Sequence, residues 1–530
     1  MGARPSPEGA ILGRGCGIHP AAVSLPVRFR PRFPVGGFLA ALLLGGGSAS
    51  AAPPSVDLAT KAEKGKAAMA AGRFGDAAAL YAEVVRALPD EPGMRLNLGM
   101  ALSMAGRPRE ALAHLEAALK LRPDLLPASL FLGAARLELG EPAQAIAPLQ
   151  AFVNAAPDHR EARRMLADAL LALDRYEPAA RHYRVLSEEG QDPRALYGLG
   201  RSYEGLAGHA FDELRTSAPE SAHFLLLVAE GMVAGERDKS AFPLYREALE
   251  KGVDLAEAHE ALAGIYERSG HPDWAAAVRG KARALAPPDC RVAGLECDFR
   301  AGRYPAVVEA TRALRTAEGQ YWRSRAAGEL AREAFARLER LPPSPEAVLV
   351  RAQVLRAQRR YAQLKEALRA AEKAWPADLR LRRELATLHF VAQEFETARP
   401  MLEDLLRREP GSAELLLLLG ESWLELRQPE KAVPYLERAV GRDPKELRAR
   451  AVLGRALLDA GEAARAVPHL EAALATDEDG SLHFQLARAY RATGRAEQSS
   501  RTLQAFQEIR RANEARAKAE DEEFAITPPR

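Results

Sequence analysis

Small and apolar residues return along this chain at helical spacing, and the blocks they form return every 34 residues. Ala111, Leu115 and Ala118 stand at i, i+4 and i+7, which puts them on one face of a helix. Ahead of them Leu98 and Gly99 open a preceding helix, Gly106 breaks it, and Pro123 closes the block. One interval later come Leu132, Gly133, Gly140, Ala145 and Leu149, with Phe152 as the one exception. Far downstream the set returns as Leu419, Gly420, Ala432, Leu436 and Ala439, then as Leu453, Gly454, Gly461, Ala466, Leu470 and Ala473. Prolines keep the same interval at Pro89, Pro123 and Pro157 and again at Pro376, Pro410 and Pro444.

A 34-residue period is the length of one helix–turn–helix unit, which cannot bury its apolar face alone and must stack on neighbours. Small side chains at the Gly99 and Ala111 positions let paired helices approach to roughly 8–10 Å, with the Leu positions filling the gap. Each closing proline stops the second helix, because it has no N–H to donate and its ring clashes with the preceding turn. Other blocks fit with defects: Gly65, Gly72, Phe74, Ala77 and Tyr81; Leu166, Ala167, Tyr176, Ala179 and Tyr183; Leu262, Ala263, Tyr266, Gly270 and Ala275; and last Leu486, Ala487, Tyr490, Gly494 and Leu503.

Over most of residues 57–511 the pattern resembles the tetratricopeptide repeat family. That resemblance implies an all-α chain, an α-solenoid of about ten to twelve helix-turn-helix repeats forming a right-handed superhelix. It also implies protein or peptide partners, held in the concave groove that the first helix of each unit lines. One subtype of the family clamps a C-terminal carboxylate with Asn directly after the helix-packing Gly. Here Lys66, Met100, Ala134, Glu421 and Arg455 follow Gly65, Gly99, Gly133, Gly420 and Gly454, so that clamp is absent. Helical offset points Arg383, Phe390, Glu421, Arg455, Phe484, Arg488 and Arg491 into the groove of the C-terminal arm. Such a face mixes apolar anchors with guanidinium donors suited to acidic segments; its bland alternative is an ordinary solvated surface.

The centre of the chain breaks the regular period in a patterned way. Tyr197, Arg201, Leu206, Ala207, Ala210, Phe211, Leu214 and Pro219 reappear 124 residues later as Tyr321, Arg325, Leu330, Ala331, Ala334, Phe335, Leu338 and Pro343. Both stretches lack the Gly-containing turn at its usual place, so each predicts one helix of roughly twenty residues and an old duplication. A long helix in place of a hairpin would alter the curvature and kink the solenoid between two arms. The expected layout is a segment 1–51, a regular array 52–190, an irregular centre 191–375, a second regular array 376–511 and a disordered tail 512–530.

Composition agrees with an almost all-α chain: aromatics are 6% of 530 residues and β-branched alternation is absent. The net charge of +2 misleads until the amino terminus is set aside. Residues 1–51 hold Arg4, Arg14, Arg28, Arg30 and Arg32 against Glu8, which is +4 and leaves −2 for the rest. That balance gives a nucleic-acid partner no support.

The amino-terminal segment has the three-part layout of a secretory signal peptide. Basic Arg28, Arg30 and Arg32 precede an apolar run from Val35 to Gly47, and Ala49-Ser50-Ala51 supplies small residues before Ala52. Thirteen apolar residues are short for a membrane span, and an uncleaved N-terminal anchor, with membrane association, is the alternative. The long lead from Met1 to Pro26 suggests that translation starts near Val23 or Val27. Cys16 precedes the apolar run and so is no lipidation site. Export to a periplasmic or extracellular space would allow a disulfide between Cys290 and Cys297, which have six residues between them; two free buried thiols are the alternative.

Chemistry appears only as near misses, so the expectation is a non-catalytic chain with no cofactor and no metal. His259-Glu260 opens like a zinc-protease helix but has Ala263 where the second ligand must stand. Gly198 and Gly200 begin a dinucleotide fingerprint, yet Tyr203 replaces the third glycine. Asp477-Glu478-Asp479-Gly480 resembles part of a calcium loop but reaches glycine too early, and a helix–helix turn is the better reading. Three functional classes remain: an exported interaction scaffold, which is preferred, a cytoplasmic adaptor, and an enzyme with an unrecognised site.

Overall fold

The computed structural model describes residues 56–188, 190–252, 255–523 and 526–529, and its regular elements are helices throughout. The export segment expected over 1–51, with Cys16, lies outside the described residues. In chain order the helices begin with α1 (Val56–Ala70), α2 (Phe74–Ala87), α3 (Pro92–Met104), α4 (Pro108–Leu121), α5 (Leu126–Glu138), α6 (Pro142–Ala155), α7 (Arg160–Leu171) and α8 (Tyr176–Glu188). A long α9 (Pro193–Ser217) follows, then α10 (Ala222–Ala234), α11 (Asp238–Glu250), α12 (Ala256–Arg268), α13 (Pro272–Ala284), the short α14 (Gly294–Arg300) and α15 (Tyr304–Ala310), and a second long α16 (Ala317–Glu339). The remainder is α17 (Pro345–Ala357), α18 (Tyr361–Ala374), α19 (Leu379–Val391), α20 (Phe395–Arg408), α21 (Ala413–Glu425), α22 (Pro429–Arg442), α23 (Leu447–Asp459), α24 (Ala463–Ala473), α25 (Ser481–Ala492) and α26 (Ala496–Glu523). Apart from α9 and α16 these are consecutive hairpins, as the period requires.

The α3–α4 hairpin shows how the sequence makes its turn. Gly106 takes φ +74°, its N–H bonds the carbonyl of Ser103 at 3.0 Å, and Arg107 N–H reaches back to Leu102 O at 2.9 Å. This left-handed closure satisfies the last carbonyls of α3, and Pro108 then starts α4 with a φ already suited to a helix. In five equivalent turns the left-handed position is not glycine: Asp174, Glu236, Arg359, Gln393 and Arg427 take φ between 54° and 59°. Prolines do not always end helices here. Pro148, Pro243, Pro400, Pro434 and Pro468 lie inside second helices, where packing holds the segment helical despite the missing donor.

Between paired helices the small positions serve as expected. A β-carbon on Gly99 would stand 2.6 Å from Leu115, one on Gly420 2.5 Å from Leu436, and one on Gly454 2.6 Å from Leu470. Gly133 meets Leu149 in the same way. All four leucines are fully buried, so the hairpins close at a distance that only a bare α-carbon permits.

The chain divides into two compact units, one of residues 56–218 with Pro288–Pro342, the other of Pro219–Pro287 with 343–529. In the first, the two long helices are present as the duplication predicts, 25 and 23 residues long. They pack on each other. Gly200 leaves room for Phe335, Ser324 Oγ donates to Ala207 O at 3.0 Å, and Glu213 pairs with Arg315. The partner number falls as the α9 number rises, so the helices run antiparallel. Tyr203 and Ala327, equivalent under the 124-residue shift, lie near the middle of that register and are both buried. Buried Arg323 fastens the segment to the array, donating to Val308 O at 2.8 Å and to Glu177 on α8 at 3.2 Å. A disulfide joins Cys290, in the loop ahead of α14, to Cys297 within that helix. The central region 191–375 is thus shared between the two units.

The tail differs from the expected disorder after Arg511. Helix α26 continues to Glu523, and residues 526–529 lie against α11 and α12. Its Ala- and Glu-rich sequence favours helix, and Asn513 donates to Glu478 O at 2.8 Å, which ties the extended helix to the preceding loop.

Candidate functional site

Successive first helices of the C-terminal arm stand side by side, and charged residues on them meet in a ladder. Arg380 on α19 reaches Glu346 on α17 at 2.5 Å, and Arg383 on α19 reaches Glu414 on α21 at 3.0 Å. Glu421 on α21 accepts from Arg448 on α23 at 2.8 Å, and Arg455 on α23 donates to Glu425 on α21 at 2.8 Å. Arg488 on α25 stands 3.6 Å from Asp459 on α23. Burial raises the Glu421 carboxyl above its ordinary value against the opposing pull of Arg448, so much of this ladder is held internally.

The seven residues expected in the groove therefore do not form one open face. Arg383 is a correction: it is 5% exposed, and its guanidinium is committed to the equally buried Glu409 at 2.5 Å as well as to Glu414. A guanidinium so enclosed joins helices and does not meet a ligand. Phe390 packs partly buried on the core with its ring against Phe395, and Glu421 is taken by Arg448. Arg455 is half-buried between Glu425 and Asp459. Phe484, Arg488 and Arg491 on α25 are exposed, an aromatic anchor beside two cations.

One feature escaped the sequence reading. Trp423 on α21 lies between two cations, Arg399 from α20 at 4.7 Å and Lys431 from α22 at 4.6 Å from its ring centre. Its buried indole N–H has no hydrogen-bond partner, and a shallow open cleft runs from it past Glu430, Lys431, Pro434, Tyr435 and Arg438. With four Trp in the chain, one at a position where other repeats carry Leu102, Leu457, Tyr266 or Tyr490 was the available signal.

The near misses have packing roles. Gly198 and Gly200 give space to Tyr183 and Phe335, and His259 is buried on α12. Asp477 takes the backbone N–H of His483 at 2.8 Å and its ring nitrogen at 2.5 Å, while Gly480 turns the chain at φ +84° into α25. Among the described residues no group of three or more His, Cys, Asp or Glu could hold a metal ion, and no helix is long and apolar enough to cross a membrane.

Consecutive antiparallel hairpins closed by Gly–Leu contacts, with charged ladders along their first helices, define an α-solenoid of helical repeats. A tetratricopeptide repeat family model matches residues 63–125, 130–193 and 383–446, and a second model of that description matches 424–482. Over those residues the chain carries tetratricopeptide repeats. Solved structures similar to it include MamA AMB-1, 21% identical, covering 32% of this chain and 97% of that one at a TM-score of 0.29. YrrB, described as a TPR protein with an unusual peptide-binding site, is 20% identical and covers 32% and 88% at 0.28. The P58(IPK) TPR domain is 16% identical and covers 76% and 98% at 0.21. No curated protein matches the chain.

Proposed function

We propose that this protein is a non-catalytic interaction scaffold, exported to a bacterial-type envelope or beyond, that holds segments of partner proteins in the groove of its repeats. The observation that carries the reading is the exposed trio Phe484, Arg488 and Arg491 at the end of the ladder, where Arg488 also faces Asp459 at 3.6 Å. An exposed aromatic ring with flanking guanidinium groups suits a helix or peptide that presents an apolar side chain beside acidic ones. Secretion, polysaccharide or outer-membrane assembly machines are the settings in which such a subunit-gathering protein would work. The Cys290–Cys297 bond supports the exported location, since disulfides persist in oxidising compartments.

The test is an affinity pull-down from envelope extract with the wild-type chain and with Phe484→Ala/Arg488→Glu/Arg491→Glu. Loss of a partner by the triple variant, with unchanged helical circular dichroism, is expected; equal recovery by both would remove the groove reading. Amino-terminal sequencing of protein from the envelope fraction tests export, and a chain confined to the cytoplasm would overturn it.

A further inference from the structure

Thr527 lies 281 positions beyond Arg246 in the sequence, yet two side chains of the α11–α12 seam hold it. Arg246 Nη1 donates to its hydroxyl at 2.5 Å, and the Tyr266 hydroxyl donates to its main-chain carbonyl at 2.8 Å. Tyr266 is fully buried, its ring edge-on to Phe242 at 5.5 Å and to Trp274 at 5.7 Å, and His271 stacks on Trp274 at 3.8 Å. A buried hydroxyl needs a partner, and here the partner comes from the far end of the chain. Ile526 and Pro529 are half-buried on either side of Thr527, while Thr527 and Pro528 remain exposed.

We propose that the seam between α11 and α12 is a binding site for an extended Thr-Pro-Pro segment, and that this chain's own residues 527–529 occupy it until a partner carrying the same chemistry displaces them. Three features fit a peptide site. The segment is recognised through a backbone carbonyl and a hydroxyl, as extended ligands are, and the two following prolines restrict the free segment and lower the entropy lost on docking. Aromatic rings and a guanidinium line the seam, the surface that proline-containing segments favour. The occupant is tethered, so its occupancy rests on an effective concentration in the millimolar range that a free ligand of micromolar affinity can overcome. The site lies on helices other than the α25 trio, so either can fail while the other stands.

The probe is a fluorescein-labelled peptide of residues 522–530, followed by anisotropy against the full chain and against a chain ending at Ala525. The shortened chain should bind the peptide at least about tenfold more tightly than the full chain. In the shortened chain Tyr266→Phe, which keeps the ring and removes the hydroxyl, and Arg246→Ala should each weaken binding about tenfold. No binding by the shortened chain, equal binding with and without the tail, or undiminished binding by Tyr266→Phe would overturn the proposal. A second measurement leaves the tail in place: Thr527→benzoylphenylalanine, irradiated in the full chain, should cross-link within the same molecule to peptides containing Arg246 or Tyr266. Cross-links elsewhere, or between differently isotope-labelled chains only, would overturn it as well.

Discussion

Gly99 on α3 lies so close to Leu115 on α4 that a β-carbon at position 99 would stand 2.6 Å from the leucine's Cγ and Cδ2. The contact repeats at Gly133 with Leu149, Gly420 with Leu436 and Gly454 with Leu470, each leucine sealed from solvent. Leu149 has no space to retreat into, because the core behind it is close-packed. Gly133→Leu should therefore cost about 1–3 kcal/mol in urea unfolding monitored by circular dichroism. Hydrogen exchange should rise around α5 and α6 and much less in distant hairpins, since repeats couple to their neighbours. A uniform rise over the whole chain would contradict that local coupling.

The buried pair Arg383–Glu409 joins α19 to the end of the α20 hairpin and does not await a ligand. Arg383→Met leaves a buried carboxylate without its counter-charge, and unfolding free energy should fall by about 3–5 kcal/mol. Adding Glu409→Met should recover most of that loss, because two apolar side chains of similar volume avoid the stranded charge. A double variant as unstable as the single one would argue for a different role.

Gln393 closes the α19–α20 turn at φ +59°, a conformation that costs a side-chain-bearing residue more than glycine. Gln393→Gly should raise stability by about 1 kcal/mol, visible as a higher urea midpoint with unchanged slope. The same change at Gly-closed turns is impossible, which confines the gain to Asp174, Glu236, Arg359, Gln393 and Arg427.

His182 on α8 is half-buried beside Arg163 and Arg181, and burial followed by these two cations lowers its pKa from 6.5 to about 4. Its neutral form is favoured in the folded chain, so the unfolded chain takes up the proton first as pH falls. Stability is full above about pH 6.5, declines through the window down to about pH 4, and levels off below it. With discount for its partial exposure the loss should be about 2 kcal/mol. His182→Gln should flatten that part of the stability profile in urea titrations at stepped pH, and an unchanged slope would assign the dependence elsewhere.

The 34-residue spacing of Gly99, Ala111, Leu115 and Pro123 determined the hairpins, their turns and their family without tertiary information, because each unit is built from contacts between residues less than one period apart. The copies at Tyr197 and Tyr321 likewise announced two long helices. What they pack against was not legible: α9 and α16 meet across more than a hundred residues, and no local pattern encodes a partner so distant. The groove shows the same limit. Helical offset places Arg383 and Arg488 on equivalent faces, yet one is enclosed by Glu409 and Glu414 and the other is open, because burial depends on what the neighbouring hairpins contribute. The tail is the extreme case, since the partners of Thr527 on α11 and α12 come from the opposite end of its unit's sequence. Periodic sequence determines the repeat; the meeting of distant segments, which no period records, is decided only when the whole chain has folded.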